Sequence, residues 1–271
     1  MKIKFKKFIK TIIEIIKKPA MSFLPGQLAF SFVLTIIPAF LLLNIIAALF
    51  SISLDSIIGF INDYFPNAVS SLLLPLISGK GFDLSMVTYL IAAFWLASTG
   101  AYAVITASDM IYEIQPGNQI SKRIKSFIMT FMLLALILFM VIVPAFGDMI
   151  LNVLIKLISN SNFVNEITII YYLLKYPLSF ILIYFNIKLL YTIAPNKEIK
   201  SKSVTKGALF TTLVWMIATQ IYSFWVTNVT HYDLIYGSIS NVIILLIWFY
   251  ILAYIFVIGL SINASIEKEK K

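Results

Sequence analysis

The 271-residue chain has no cysteine and a single histidine, His231. The first absence removes disulfides, thiolate nucleophiles and cysteine-ligated metals. The second removes histidine-cluster metal sites. Charge is also scarce, with 12% charged residues against 61% hydrophobic ones. A soluble domain is roughly a quarter charged, and this chain has too few charges to cover a polar surface. Lipid is therefore its expected solvent. The net charge of +9 admits a nucleic-acid reading. Lysines gathered on cytoplasmic loops, facing anionic membrane lipid, are the favoured reading, and no nucleic-acid partner is expected.

Six apolar runs are long enough to cross a hydrocarbon core of roughly 30 Å. They cover about 28–50, 84–107, 127–146, 167–193, 204–227 and 237–262. The fold class expected is all-α, a polytopic membrane protein with six transmembrane helices in one membrane domain spanning 1–271. Residues 1–18 do not read as a secretory signal, because their apolar residues are spaced and no cleavage site follows. Ile9, Ile12, Ile13 and Ile16 alternate with Lys6, Lys10 and Lys17, which predicts an amphipathic helix in the membrane interface, ended by Pro19. Between the first two runs, 51–83 is too polar and broken by Pro66 and Pro75 to span, with 68–77 expected as a short interfacial or re-entrant helix. Residues 151–158 either extend the third helix or lie flat.

Basic residues orient the bundle. With the N-terminus inside, 17 of the 21 lysines and arginines fall on inner segments. Only Lys80 and Lys156 fall on outer loops, and Lys175 and Lys188 lie within the fourth run. Both termini are thus expected in the cytoplasm.

No His-Glu-x-x-His, phosphate-cradling glycine loop or Gly-x-Ser-x-Gly elbow occurs, and the acids are mostly scattered singly. No catalytic residues, metal site or cofactor are expected, and the chain is not expected to be an enzyme. The Asn228-Val229-Thr230 sequon reads as chance.

Polar residues inside the runs are the functional candidates, since they are costly in lipid and face a bundle interior or an aqueous cavity. Gln27, Ser31, Thr35 and Pro38 form one stripe of the first run. They either line a substrate path or pack helices, and packing is favoured. In the sixth run Asn241 and Gly259 share a face, with Asn263 about 40° further round; packing is again favoured, with Gly259 admitting a close backbone. Asp109, Tyr112 and Glu113 stand above the basic run Lys122-Arg123-Lys125. A salt-bridged rim is favoured there over a gate or headgroup site. Lys175, two residues before Pro177, either snorkels outward or lines an anionic path. His231, near Asp233, is read as an ordinary exposed histidine rather than a proton sensor.

Several stretches together resemble the YihY/BrkB family of bacterial inner-membrane proteins, once associated with ribonuclease BN. They are Leu28-Ala29-Phe30-Ser31-Phe32 with Ile37-Pro38; Leu190 to Asn196 (Leu-Tyr-Thr-Ile-Ala-Pro-Asn) with Lys206-Gly207-Ala208 and Trp215; and Tyr236-Gly237-Ser238 with Leu246 to Tyr250 and Gly259. The resemblance runs from about Met21 to Ile266. Two positions depart from the family pattern, Ser261 standing where the family often has an acid, and Asp109 where it commonly has an asparagine. The resemblance implies a six-helix inner-membrane fold. Suggested family roles include export of lipids or small metabolites and resistance to serum killing, and the residues here do not support the ribonuclease association. The expected function is transport or export of a lipid-like or small amphipathic anionic substrate, with membrane lipids as partners. The alternative is a non-transporting scaffold for envelope assembly. Oligomeric state is left open.

Overall fold

The computed structural model describes residues 12–49, 54–77, 85–115, 117–157, 161–228 and 237–268. Among these the chain is helical, without strands. The helices are α1 (Ala20–Leu49), α2 (Leu54–Tyr64), α3 (Asn67–Ile77), α4 (Ser85–Ile111), α5 (Gln119–Leu157), α6 (Ser161–Ile193), α7 (Thr205–Asn228) and α8 (Ser240–Lys268), with a 3-10 turn at Gly237–Ile239 leading into α8. Four stretches of described helix are long and apolar enough to cross a membrane: Ala20–Leu42, Ile91–Ile111, Thr205–Asn228 and Ser240–Lys268. Pro177–Ile193 forms a shorter apolar stretch. The all-α membrane fold expected from hydropathy is the fold observed.

Helices overrun the apolar stretches because backbone hydrogen bonding continues past the point where lipid ends. α1 begins eight residues before the apolar run, with Pro25 and Pro38 inside it. α5 starts at Gln119 because Asn118 caps it, its Oδ1 accepting the Ile120 N–H at 2.9 Å. α5 also continues unbroken to Leu157, so 151–157 extends the third run and does not lie flat as a separate piece.

Residues 12–16 are helical, as expected; Ile12 and Ile15 pack on the bundle, with Ile15 buried, while Ile13 and Ile16 are exposed, and Ile9 lies outside the described residues. The broken stretch contains two helices where one was expected. Pro66 ends the connection between them, and its carbonyl accepts the Val69 and Ser70 N–H groups that start α3. Ile57, Phe60 and Ile61 of α2, with Val69 and Leu73 of α3, are buried in the main core.

α8 is the spine. It packs along α1, α7 and α3 and touches α4, and every residue from Ile255 to Ala264 is buried. A helix covered on all sides is expected to be apolar all round, and in this segment only Ser261 and Asn263 interrupt the apolar residues. α7 is the opposite case, with Leu213, Ile217, Ile221 and Phe224 exposed as a lipid-facing stripe.

Candidate functional site

Three ion pairs, Asp109–Lys122, Lys197–Glu267 and Lys268–Glu113, gather at the end of the bundle where α4 stops, α5 starts, α6 turns into α7 and α8 finishes. α4 closes with Glu113 in the left-handed region (φ 56°), while the Ile114 N–H donates to the Asp109 carbonyl at 2.8 Å. This is the wrapped helix end usually made by glycine. It leaves the Asp109 side chain facing the α6–α7 connection.

Asp109 is 3% exposed and fully engaged. Its Oδ1 accepts the Asn196 backbone N–H at 2.8 Å, and its Oδ2 accepts Asn196 Nδ2 at 2.7 Å and pairs with Lys122 Nζ at 2.7 Å. Lys125, one turn further along α5, donates to the Ala194 carbonyl (2.9 Å), the Pro195 carbonyl (2.8 Å) and Asn196 Oδ1 (2.9 Å). Burial holds the Lys125 ammonium below the usual lysine range, an effect that the Asp109 charge opposes. The Ala194-Pro195-Asn196 turn is thus clamped between the Asp109 carboxylate, itself paired with Lys122, and the Lys125 ammonium.

Two further pairs complete the rim. Lys197 Nζ reaches Glu267 Oε1 at 2.9 Å and lies 4.6 Å above the Tyr112 ring. Lys268 pairs with Glu113 at 2.6 Å, both exposed. That hydrogen bond, then the Lys268 charge, hold the Glu113 carboxyl below its ordinary range, with a smaller contribution from Lys18. The salt-bridged rim expected around Asp109, Tyr112 and Glu113 is present. Arg123 stands apart, stacked 4.1 Å over Trp95 and donating to the Trp95 carbonyl at 2.9 Å. Beside the clamp lies an open groove of about 650 Å³, lined by Lys125, Thr192, Asn196, Lys197, Glu198 and Lys200. Three ammonium groups against one carboxylate make it a basic groove.

Deeper in, α7 meets α8 at glycines. A Cβ on Gly207 would fall inside the Gly259 carbonyl oxygen and the Asn263 side chain, and one on Gly259 would strike Thr211 and the Tyr191 hydroxyl. Asn263 Oδ1 accepts the Gly207 N–H at 2.8 Å. The Tyr191 hydroxyl shares a 2.7 Å hydrogen bond with Thr211 Oγ1 and donates to the Phe256 carbonyl at 2.8 Å. The packing role expected of Gly259 is realised, and Asn263 belongs to the same seam.

The other candidates do not converge. Gln27 is exposed and Ser31 half-buried. Thr35 shares a 3.3 Å contact with Thr99 and fills the space opposite Gly100, while Pro38 is buried. Asn241 reaches Ser71 of α3 at 3.4 Å. Lys175 falls in α6, but its side chain lies outside the described part, as do His231 and Asp233. Sequence patterning alone does not mark Asn196, Lys197, Tyr191, Gly207, Thr211 and Glu267 as site residues. Their partners lie tens of residues away in sequence, and only the Ala-Pro-Asn turn between two apolar runs hinted at one of them.

Comparison with known proteins adds to this geometry. A family model described as "Virulence factor BrkB" matches residues 12–271. The ribonuclease-like protein YfkH of Bacillus subtilis is 30% identical over 252 residues, covering 91% of this chain and 90% of YfkH. A UPF0761 membrane protein of Idiomarina loihiensis is 30% identical over 80 residues, 30% of this chain and 28% of that protein. Another, from Pseudoalteromonas translucida, is 27% identical over 81 residues, 30% of this chain and 27% of that protein. No solved structure matches. A match across nearly the whole chain, on an all-helical apolar bundle, makes this protein a membrane protein of the BrkB family.

Proposed function

We propose that the protein transports an anionic, lipid-like or small amphipathic substrate, which it takes up at the basic groove of the rim. The carrying observation is that groove, where Lys125, Lys197 and Lys200 surround a space of about 650 Å³ beside an apolar bundle. A basic pocket at the cytoplasmic end of membrane helices suits a phosphate or carboxylate headgroup, with the acyl portion left in lipid. Six spans with both termini in the cytoplasm form part of this reading. The residue-18 end of the N-terminal segment, the α4–α5 connection, the α6–α7 connection and the end of α8 share one end of the bundle, and these are the segments that carry most of the basic residues.

The activity proposed is non-enzymatic. The ribonuclease-like name belongs to YfkH, and on this reading the purified protein leaves RNA intact. The scaffold reading is favoured by one observation: Thr35 meets Thr99 of the facing helix, and Asn263 Oδ1 holds the Gly207 N–H, so both contacts serve helix packing. Reconstitution separates the two. Proteoliposomes carrying fluorescent phosphatidylglycerol or phosphatidylcholine, quenched from outside, should show protein-dependent exchange of the anionic lipid, slowed by Lys200→Glu. Equal protection of both lipids with and without protein, together with a stoichiometric envelope protein on pull-down, would replace transport with the scaffold.

A further inference from the structure

Ser108 and Tyr112 lie one turn apart at the end of α4, and Asn263 and Glu267 lie one turn apart at the end of α8, so each pair shares one helix face. The two ends are brought together by Lys197, which covers the Tyr112 ring and binds Glu267. Four side-chain atoms here have no hydrogen-bond partner among the described residues: Ser108 Oγ, Tyr112 Oη, Asn263 Nδ2 and Glu267 Oε2. Ser108 and Asn263 are completely buried, and Tyr112 is 6% exposed. An orphaned buried polar atom loses its hydration without gaining a hydrogen bond in exchange, and four at these two helix ends call for a partner. Ser261 Oγ is also unpartnered, but it sits about 200° around α8 from Asn263 and faces elsewhere.

The chemistry of the four atoms selects the occupant. The Glu267 carboxylate repels an anion. The Asn263 amide nitrogen is a donor, and the Lys197 ammonium stands beside the carboxylate, so a bare cation is also disfavoured. An apolar group would leave all four atoms orphaned. Two hydroxyls that both donate and accept, one donor and one acceptor suit a neutral ligand that does both. We propose that the α4–α8 seam holds a water-binding site bounded by Ser108, Tyr112, Asn263 and Glu267, with the Lys197–Glu267 ion pair as its closure toward the rim. Burial and the neighbouring Glu267 push the Tyr112 phenol up, so it stays a neutral donor. The Tyr191 hydroxyl beyond it is occupied by Thr211 and Phe256, which ends the site on that side. Lys268 and Glu113, the other charges nearby, satisfy each other at the surface. Through Asn263, whose Oδ1 holds the Gly207 N–H, the water site connects the rim to the α7–α8 seam.

The absence of cysteine makes the test direct, since an introduced thiol has no background. In native membranes, Ser108→Cys should react with methyl methanethiosulfonate at least about tenfold faster than Ala253→Cys in the dry core, because only a hydrated thiol ionises readily. Glu267→Gln, which weakens the closure, should raise the Ser108→Cys rate further. Equal rates for the two cysteines, unchanged by Glu267→Gln, overturn the proposal. Thermal unfolding of Ser108→Ala gives an independent answer. An unchanged or lowered Tm fits a solvated hydroxyl, whereas a raised Tm identifies a dry orphan and overturns the site even if the cysteine variants do not fold.

Discussion

Two regions near the same end of this bundle solve the problem of polar atoms in opposite ways. The α7–α8 seam uses few side chains and no charge: Gly207 and Gly259 bring backbones together, Tyr191 bonds Thr211 and the Phe256 carbonyl, and Asn263 Oδ1 holds the Gly207 N–H. The rim uses full charges, with Asp109 between Lys122 and Asn196 and with Lys125 on three oxygens. In lipid, helices gain little from burying apolar surface against each other, so close approach and neutral hydrogen bonds hold them. Where water is near, ions become affordable, and they fix a turn that has little apolar surface of its own. The seam should therefore be sensitive to volume and the rim to charge.

The strongest way to break this contrast is at the rim. Asp109→Ala leaves the buried Lys122 ammonium and both Asn196 donors without their acceptor, and should cost about 3–5 kcal/mol in detergent unfolding measurements. The double change Asp109→Leu with Lys122→Met should recover most of that loss, since it removes both charges; failure to recover would mean that Asn196 is the dominant partner. At the seam, Gly207→Ala should cost about 1–3 kcal/mol through overpacking against backbone. Gly259→Ala should be partly rescued by Thr211→Ala, because its nearest obstacle is a side chain, while no side-chain deletion should rescue Gly207→Ala. Tyr191→Phe removes one buried hydroxyl and should cost about 1 kcal/mol by the same assay. Smallest is Glu113→Gln. The Glu113 pKa is depressed in the folded state, so its pair with Lys268 stabilises above the unfolded carboxyl pKa and is lost as pH falls through the lower folded value. Both groups are exposed and screened, so unfolding curves of the variant and the parent should superimpose at neutral pH and in acid.

Hydropathy made the helices legible because lipid imposes one strong requirement on each span. It did not show where helices stop, since the polar turn from Gln119 to Ser126 is held by an Asn118 cap and not by lipid. It missed α2, whose polar residues hide a buried face of Ile57, Phe60 and Ile61. Gly259 was readable as a point of close approach because a glycine deep in a span has few other uses. Its partner Gly207, 52 positions earlier, was not, because helical periodicity identifies a face but not what it meets. Asp109 stood out as an acid above a basic run. That it holds Asn196, 87 positions away, follows only from how α4 and the α6–α7 turn are stacked. The stripe from Gln27 to Pro38 shows the limit from the other side: its spacing is real, yet its members range from exposed to buried.

The clamp on the 194–196 turn also sets a chronology. During synthesis Asp109 and Lys122 appear early and close together, while Asn196 arrives some seventy residues after Lys122, behind the whole of α5 and α6. Only when α6 has run back beside α5 can the carboxylate and the Lys125 ammonium find their remaining partners. The clamp therefore closes last, and its completion reports that α6 has returned to the end of the bundle where α4 stops and α5 starts.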